Sequence, residues 1–174
     1  MKIGIMSDTH RKTGRAKKAI DLLINEGAEF ILHAGDIVQE EVLEYLEKAP
    51  VRYAAVLGNN DFHLYKVVDK YNLTTEPHYF KLAGKTWKLM HYPKYMFPLD
   101  TDIIVYGHTH DVDITFNGKN LILNPGEVCA RDHGFSTCMT LDITDEKYIV
   151  TLFYRKIKTD EWKTKVKEFT LPKV

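Results

Sequence analysis

Cysteine is scarce in this sequence: only Cys129 and Cys138 occur among 174 residues. Two thiols so close together exclude a disulfide framework and a thiolate zinc site, and buried free thiols in a reducing compartment are expected. An excess of one charge is also missing. With 24 basic and 24 acidic residues the formal net charge is zero, so no global positive field recruits nucleic acid or an anionic membrane. Any anion must be attracted locally. No apolar run is long enough to span a bilayer. A strand pattern follows Met1 directly in place of a signal peptide, and a cytoplasmic protein is expected. Repeats, low-complexity tracts and linkers are absent too. Residues 1–174 are therefore expected to form one domain with a sizeable core, to which 146–174 add an edge.

What is present is an alternation of strand and helix patterns. Ile3, Ile5 and Met6 form a buried-strand run that breaks at Ser7 into Asp8 and His10. Ala16, Ala19, Ile20 and Leu23 have helical spacing within 11–26, and Gly27 stands where a left-handed cap ends a helix. A second strand (30–32) runs into His33-Ala34-Gly35-Asp36. A second helix is expected over 39–48, with Val42, Leu43 and Leu46 inward. A third strand (53–57) runs into Gly58-Asn59-Asn60-Asp61, and Leu64, Val67, Val68 and Tyr71 mark a third amphipathic helix. Three polar clusters then lie at one edge of a parallel sheet, the edge where α/β sheets place ligands.

From His78 onward the pattern becomes short strands and tight turns: 79–82, 86–90 closing on His91, a loop over 92–102, and 103–106 ending in Gly107-His108-Thr109-His110. Asn117-Gly118 between 112–116 and 119–123 is the strongest hairpin signal. Further antiparallel strands are expected over 136–143, 148–157 and 164–171. The lysines of 155–167 suit either a basic nucleic-acid patch or, more commonly, protection of an exposed edge strand.

The donors just beyond strand ends are Asp8, His10, Asp36, Asn59, His91, His108 and His110. On an extended backbone, Asp8 and His10 would point the same way and share one ion. The competing reading makes Asp8 a helix cap and His10 a surface residue. As a set, oxygen and imidazole donors without thiolate suit a pair of divalent ions such as manganese, iron, nickel or zinc.

The spaced series Asp8-x-His10, Gly35-Asp36, Gly58-Asn59, His91, Gly107-His108-x-His110 and Asn124-Pro125-Gly126 resembles the calcineurin-like metallophosphoesterases, and among them the small prokaryotic YfcE-type phosphodiesterases. The resemblance implies an α/β fold, a four-layer αββα sandwich of two mixed sheets flanked by helices. It implies one ion held by Asp8, His10, Asp36 and His110 and a second held by Asp36, Asn59, His91 and His108, with Asp36 bridging and manganese placed ahead of nickel, iron or zinc. By that resemblance, a pair of ions would make hydroxide available near neutral pH for in-line hydrolysis of a small phosphodiester or nucleotide-like substrate. Asp36, Asn59, Asn60 and His91 are the candidate catalytic residues.

Four departures qualify the match. Asn60 replaces the histidine that many relatives use as leaving-group acid, which favours activated diesters over monoesters. Tyr92 replaces glycine, Glu127 stands where serine is common, and the 93–100 loop is short. His33 and Asp61 are candidates for orienting the ligands, His33 equally for a buried histidine bonded to backbone. The alternatives to a diesterase are a phosphomonoesterase and a non-catalytic scaffold like the retromer subunit of this fold. Oligomeric state is left open.

Overall fold

The computed structural model describes residues 1–159 and 161–172. Two mixed sheets lie face to face. The first has seven strands in the order β12-β11-β10-β1-β2-β3-β4, from β1 (Lys2–Met6), β2 (Phe30–His33), β3 (Arg52–Val56), β4 (Leu73–Thr74), β10 (Phe135–Ile143), β11 (Lys147–Lys156) and β12 (Lys163–Thr170). The second has the order β5-β6-β7-β9-β8, from β5 (His78–Leu82), β6 (Lys85–Leu89), β7 (Ile103–Val105), β8 (Val112–Phe116) and β9 (Leu121–Pro125).

Period-two alternation sorts the first sheet's side chains. Ile3, Ile5, Leu32 and Val56 face the second sheet and meet Trp87, Leu89, Val105 and Leu123 in the core between the sheets. Met6, Ile31 and Ala55 face outward, where α1 (Thr13–Asn25) and α2 (Glu40–Lys48) cover them with Ala16, Ala19, Ile20, Leu23, Val42, Leu43 and Leu46. Gly27, at φ +87°, ends the α1 segment as its position suggested. In α2, Glu40 and Glu41 in the first turn and Lys48 in the last complement the helix dipole.

The helical layers are unequal. On the outer face of the second sheet, Met90, Ile104 and Tyr106 are covered by Tyr95, Met96 and Leu99, and the only regular turn there among the described residues is the 3-10 turn Pro93–Tyr95. Buried Lys88 ties this loop down: its Nζ donates to Pro98 O at 2.6 Å and Met96 O at 3.2 Å and pairs with Asp100 at 2.6 Å.

The third amphipathic helix is corrected. Phe62–Val67 forms a 3-10 helix, and Phe62 and Tyr65 face solvent. The expectation also missed β4, whose Leu73 and Thr74 pair with Ala55 and Val56 at the end of β3. The segment is tied at its start to the Asp36 loop, where Asp61 accepts from the N–H groups of Ile37 and Val38 and His63 Nε2 lies 2.6 Å from Val38 O, and these contacts replace the regular helix that its spacing suggests.

β1, β2 and β3 run parallel, as do β6, β7 and β9. The loops after each set meet at one edge of the sandwich.

Candidate metal centre

Backbone bonds sew the two sets of loops together. Val128 N–H donates to Ser7 O and Cys129 N–H to Asp8 O, both at 3.0 Å, and within the second set Gly107 N–H donates to His91 O at 3.1 Å. Asp8 and His10 do converge, but not by alternation along a strand. β1 ends at Met6, and both residues lie in the left-handed region, at φ 53° and 45°. Asp36, His108 and His110 do so as well, at 54°, 69° and 63°. Five of the seven candidate ligands thus hold a conformation that costs a non-glycine residue about 1–3 kcal/mol. Such strain persists only where the surrounding contacts over-determine it.

Two glycines of the motifs are needed for space. A Cβ at Gly58 would lie 2.4 Å from Asp36 Oδ1, and one at Gly107 would lie 2.1 Å from Ser7 Oγ and 2.9 Å from Asp8 Oδ2. The Gly-Asn and Gly-His pairs therefore bring backbone directly against the carboxylates.

All seven candidate donors fall into one chain of contacts. His110 Nε2 is 3.2 Å from Asp8 Oδ1 and 3.4 Å from His10 Nε2. His10 Nε2 is 3.7 Å from Asp8 Oδ1 and 3.6 Å from Asp36 Oδ2. His91 Nε2 is 3.5 Å from Asp36 Oδ1 and 2.9 Å from Asn59 Oδ1, which lies 3.1 Å from His108 Nδ1. Two atoms that share one small cation at bond lengths near 2.1 Å are about 3.0–3.5 Å apart. Asp8 is fully buried, yet its Oδ1 makes no hydrogen bond among the described residues. A buried carboxylate oxygen 3.2 and 3.7 Å from two imidazole nitrogens, facing the positive charge of His110 while no metal is bound, is a position that a cation would complete. The residues fit a metal.

Neighbouring groups set which atoms face inward. His91 Nδ1 lies 2.8 Å from Ala34 O, so Nδ1 carries the proton and Nε2 is left toward Asp36. His110 Nδ1 lies 2.7 Å from Glu127 Oε2, so its Nε2 faces Asp8. The Asp8 and Glu127 carboxylates raise the His110 pKa to about 9 against the cost of burial. Burial tends to raise the Asp36 pKa, but His91 and two bonds from Asn60 outweigh it and hold the carboxyl below its usual range. Burial lowers the pKa values of His10 and, together with the nearby His91, of His108.

Asn60 is placed on Asp36: its backbone N–H donates to Oδ1 at 2.9 Å and its side-chain amide to Oδ2 at 2.7 Å. Asp61 accepts from the N–H groups of Ile37, Val38 and Gly58 at 2.7–3.1 Å, fixing the Asp36 loop to the Asn59 loop. His33 accepts from Gly35 N–H and pairs with Thr9 Oγ1; burial lowers its pKa to about 4. Its ring therefore supports the loop in the neutral form. Tyr92 packs on His108, ring centroids 4.3 Å apart.

Sequence reasoning missed two supporting groups, Glu76 and Ser7, and marked Glu127 only as a departure from the family pattern. Glu76 accepts from His91 N–H at 2.6 Å and Tyr92 N–H at 2.7 Å, and Ser7 Oγ donates to Asp8 Oδ2 at 2.6 Å. Glu127 accepts from the N–H groups of Arg131, Asp132 and His133 and from Cys129 Sγ. Burial and that carboxylate push the Cys129 thiol up to about 12, so it serves as a donor to Glu127 in the thiol form. Glu76 stands 15 residues from His91 and Ser7 directly precedes Asp8, and neither position carries a spacing signal that marks its role.

Comparison with known proteins places these features in context. A family model described as the calcineurin-like phosphoesterase superfamily domain matches residues 1–146, ending before β11. A relative named phosphodiesterase MJ0936, from Methanocaldococcus jannaschii, is 29% identical over 161 residues, covering 85% of this chain and 96% of its own. A solved structure described as a novel archaeal phosphodiesterase superposes with a TM-score of 0.73 at 26% identity, over 95% of this chain and 99% of that one. The zinc complex of Vps29 from Entamoeba histolytica superposes with a TM-score of 0.73 at 20% identity, over 98% and 99% of the two chains, a likeness of fold. No helix among the described residues is long and apolar enough to cross a membrane.

Proposed function

The chain belongs to the calcineurin-like phosphoesterase superfamily, and on that premise we propose that it is a phosphodiesterase acting on small phosphodiesters with two divalent cations, manganese foremost. Asp8, His10, Asp36 and His110 would hold one, and Asp36, Asn59, His91 and His108 the other. When bound, such a pair ionises solvent near neutral pH and draws charge from the phosphoryl oxygens. The reaction adds one water at phosphorus and breaks one P–O ester bond, releasing a phosphomonoester and an alcohol.

The observation that carries this reading is the run of seven donors that begins at His110 and ends at His108, with the buried Asp8 Oδ1 facing two of its imidazoles. The phosphodiesterase named among the relatives supports the reaction class. Asn60 acts as a positioning residue: both of its N–H groups are spent on Asp36, and an amide has no acidic proton to give. The leaving group must therefore depart unaided or take a proton from water, which favours activated diesters. Asn59 offers a carbonyl oxygen without charge, and this keeps the centre net positive toward an anionic ester. Tyr92, seated on His108, narrows the approach from that side.

The test pairs elemental analysis of the purified protein with assays on bis-p-nitrophenyl phosphate and p-nitrophenyl phosphate in manganese, nickel and zinc. Two bound ions and a faster diester reaction are expected, with hydrolysis abolished in Asp36→Asn and His110→Ala. A scaffold of the same fold, the reading that the Vps29 likeness raises, predicts no hydrolysis with any metal.

A further inference from the structure

A cavity of about 670 Å³ opens beside His10 and Asn60, and its basic lining residues are Arg11, Lys12, Arg15 and Arg131. No Asp or Glu lines it among the described residues. Arg11, Lys12 and Arg15 also line a second cavity of about 620 Å³, where Lys158 joins them and no acidic residue is found in the lining among the described residues. In a chain with zero net charge, this gathers positive charge on one flank of the centre. A concave, single-sign wall concentrates potential and attracts anions.

The basic side chains are not equivalent. Arg131 is engaged with Asp132 at 2.9 Å. Arg15 donates to Cys129 O and so pins α1 to the loop after Glu127. Arg11 and Lys12 are exposed and have no acidic partner among the described residues. They directly follow His10, so whatever they hold lies next to an ester seated at the centre.

We propose that this cavity is a subsite for a second phosphate of the substrate, bound by Arg11, Lys12 and Arg15, so that the preferred diester is a small, multiply phosphorylated one. The inference rests on the phosphodiesterase reading for the position of the scissile ester. Cavity size argues for a small molecule, because several hundred cubic ångströms is the scale of a ligand pocket. Zero net charge argues against a long nucleic acid held by a global field.

Binding tests the subsite apart from catalysis. Protein stripped of metal on a chelating resin is titrated calorimetrically with inorganic tripolyphosphate at low and high salt. Salt-sensitive binding is expected in the wild type, weakened roughly tenfold or more in Arg11→Ala/Lys12→Ala, since charge-assisted bonds to phosphate are the strong ones. No binding, or equal affinity in a double variant with an unchanged melting temperature, overturns the proposal.

With manganese supplied, kcat/KM is then compared on thymidine 5′-(p-nitrophenyl phosphate) with and without a 3′-phosphate. The wild type should prefer the phosphorylated compound roughly tenfold, and the ratio should fall toward one in the double variant. Hydrolysis without that preference rejects the subsite and leaves the diesterase standing. Variant-sensitive tripolyphosphate binding without any hydrolysis rejects the diesterase and leaves the subsite.

Discussion

Glu127 Oε2 lies 2.7 Å from His110 Nδ1, with both side chains buried. The carboxylate fixes the imidazole so that Nε2 meets Asp8 Oδ1, and its remaining lone pairs take the N–H groups of residues 131–133. Burial disfavours its charge, but those donors hold its pKa below the usual range. A buried carboxylate behind a ligating histidine raises the basicity of the ring and locks its tautomer.

Glu127→Gln replaces one acceptor oxygen by an amide that points its own hydrogens at backbone N–H groups. Manganese affinity, measured by calorimetry, is expected to fall about 10- to 100-fold, and the metal-free variant to melt below the wild type. Affinity equal to that of the wild type would remove Glu127 from the site.

The metal-free protein should be most stable near pH 6.5. His110 has a pKa raised from 6.5 to about 9; its contribution is full below pH 6.5 and is lost as pH rises through 9, on the order of 3 kcal/mol at most. His33 has a pKa lowered to about 4; its contribution is full above 6.5 and is lost as pH falls toward 4. A melting-temperature series across pH 4–10 should show both arms, with bound manganese flattening the alkaline one because the metal takes the place of the proton. A monotonic profile contradicts the assignment.

Gly107→Ala should destabilise by about 1–3 kcal/mol in urea unfolding, because its Cβ would meet Ser7 Oγ at 2.1 Å. It should also lose metal, since Asp8 Oδ2 stands 2.9 Å from the same Cβ. Gly14→Ala is the control: nothing lies within 4 Å of its Cβ, and on α1 it should be neutral or stabilising by up to about 1 kcal/mol. Equal effects of the two changes would refute the steric account.

Lys88→Ala removes the donor that holds the carbonyls of Met96 and Pro98. Hydrogen exchange should accelerate across 93–99 while β6 and β7 keep their protection. Protection unchanged over that loop would show that Tyr95, Met96 and Leu99 hold it by packing alone.

Much of the fold was legible because its signals are local. The apolar face of Ala16, Ala19, Ile20 and Leu23 predicted α1, and Asn117-Gly118 predicted the hairpin of β8 and β9. The third helix failed because Leu64, Val67, Val68 and Tyr71 carry helical spacing, but contacts of Asp61 and His63 with the Asp36 loop, made across the chain, govern that segment. Periodicity reports which residues avoid water; it does not report which distant loop a segment is tied to.

The candidate site divides along the same line. Sequence alone named the candidate donors and their order, since each follows a strand pattern and parallel topology brings such ends to one edge. Tertiary structure decided how the donors are aimed. Left-handed backbone at five of them, Gly58 and Gly107 making room, Glu127 behind His110 and Ala34 O behind His91 are all long-range arrangements. Their energies come from packing, desolvation and hydrogen bonds between segments up to a hundred residues apart, and no neighbour in the sequence carries that information.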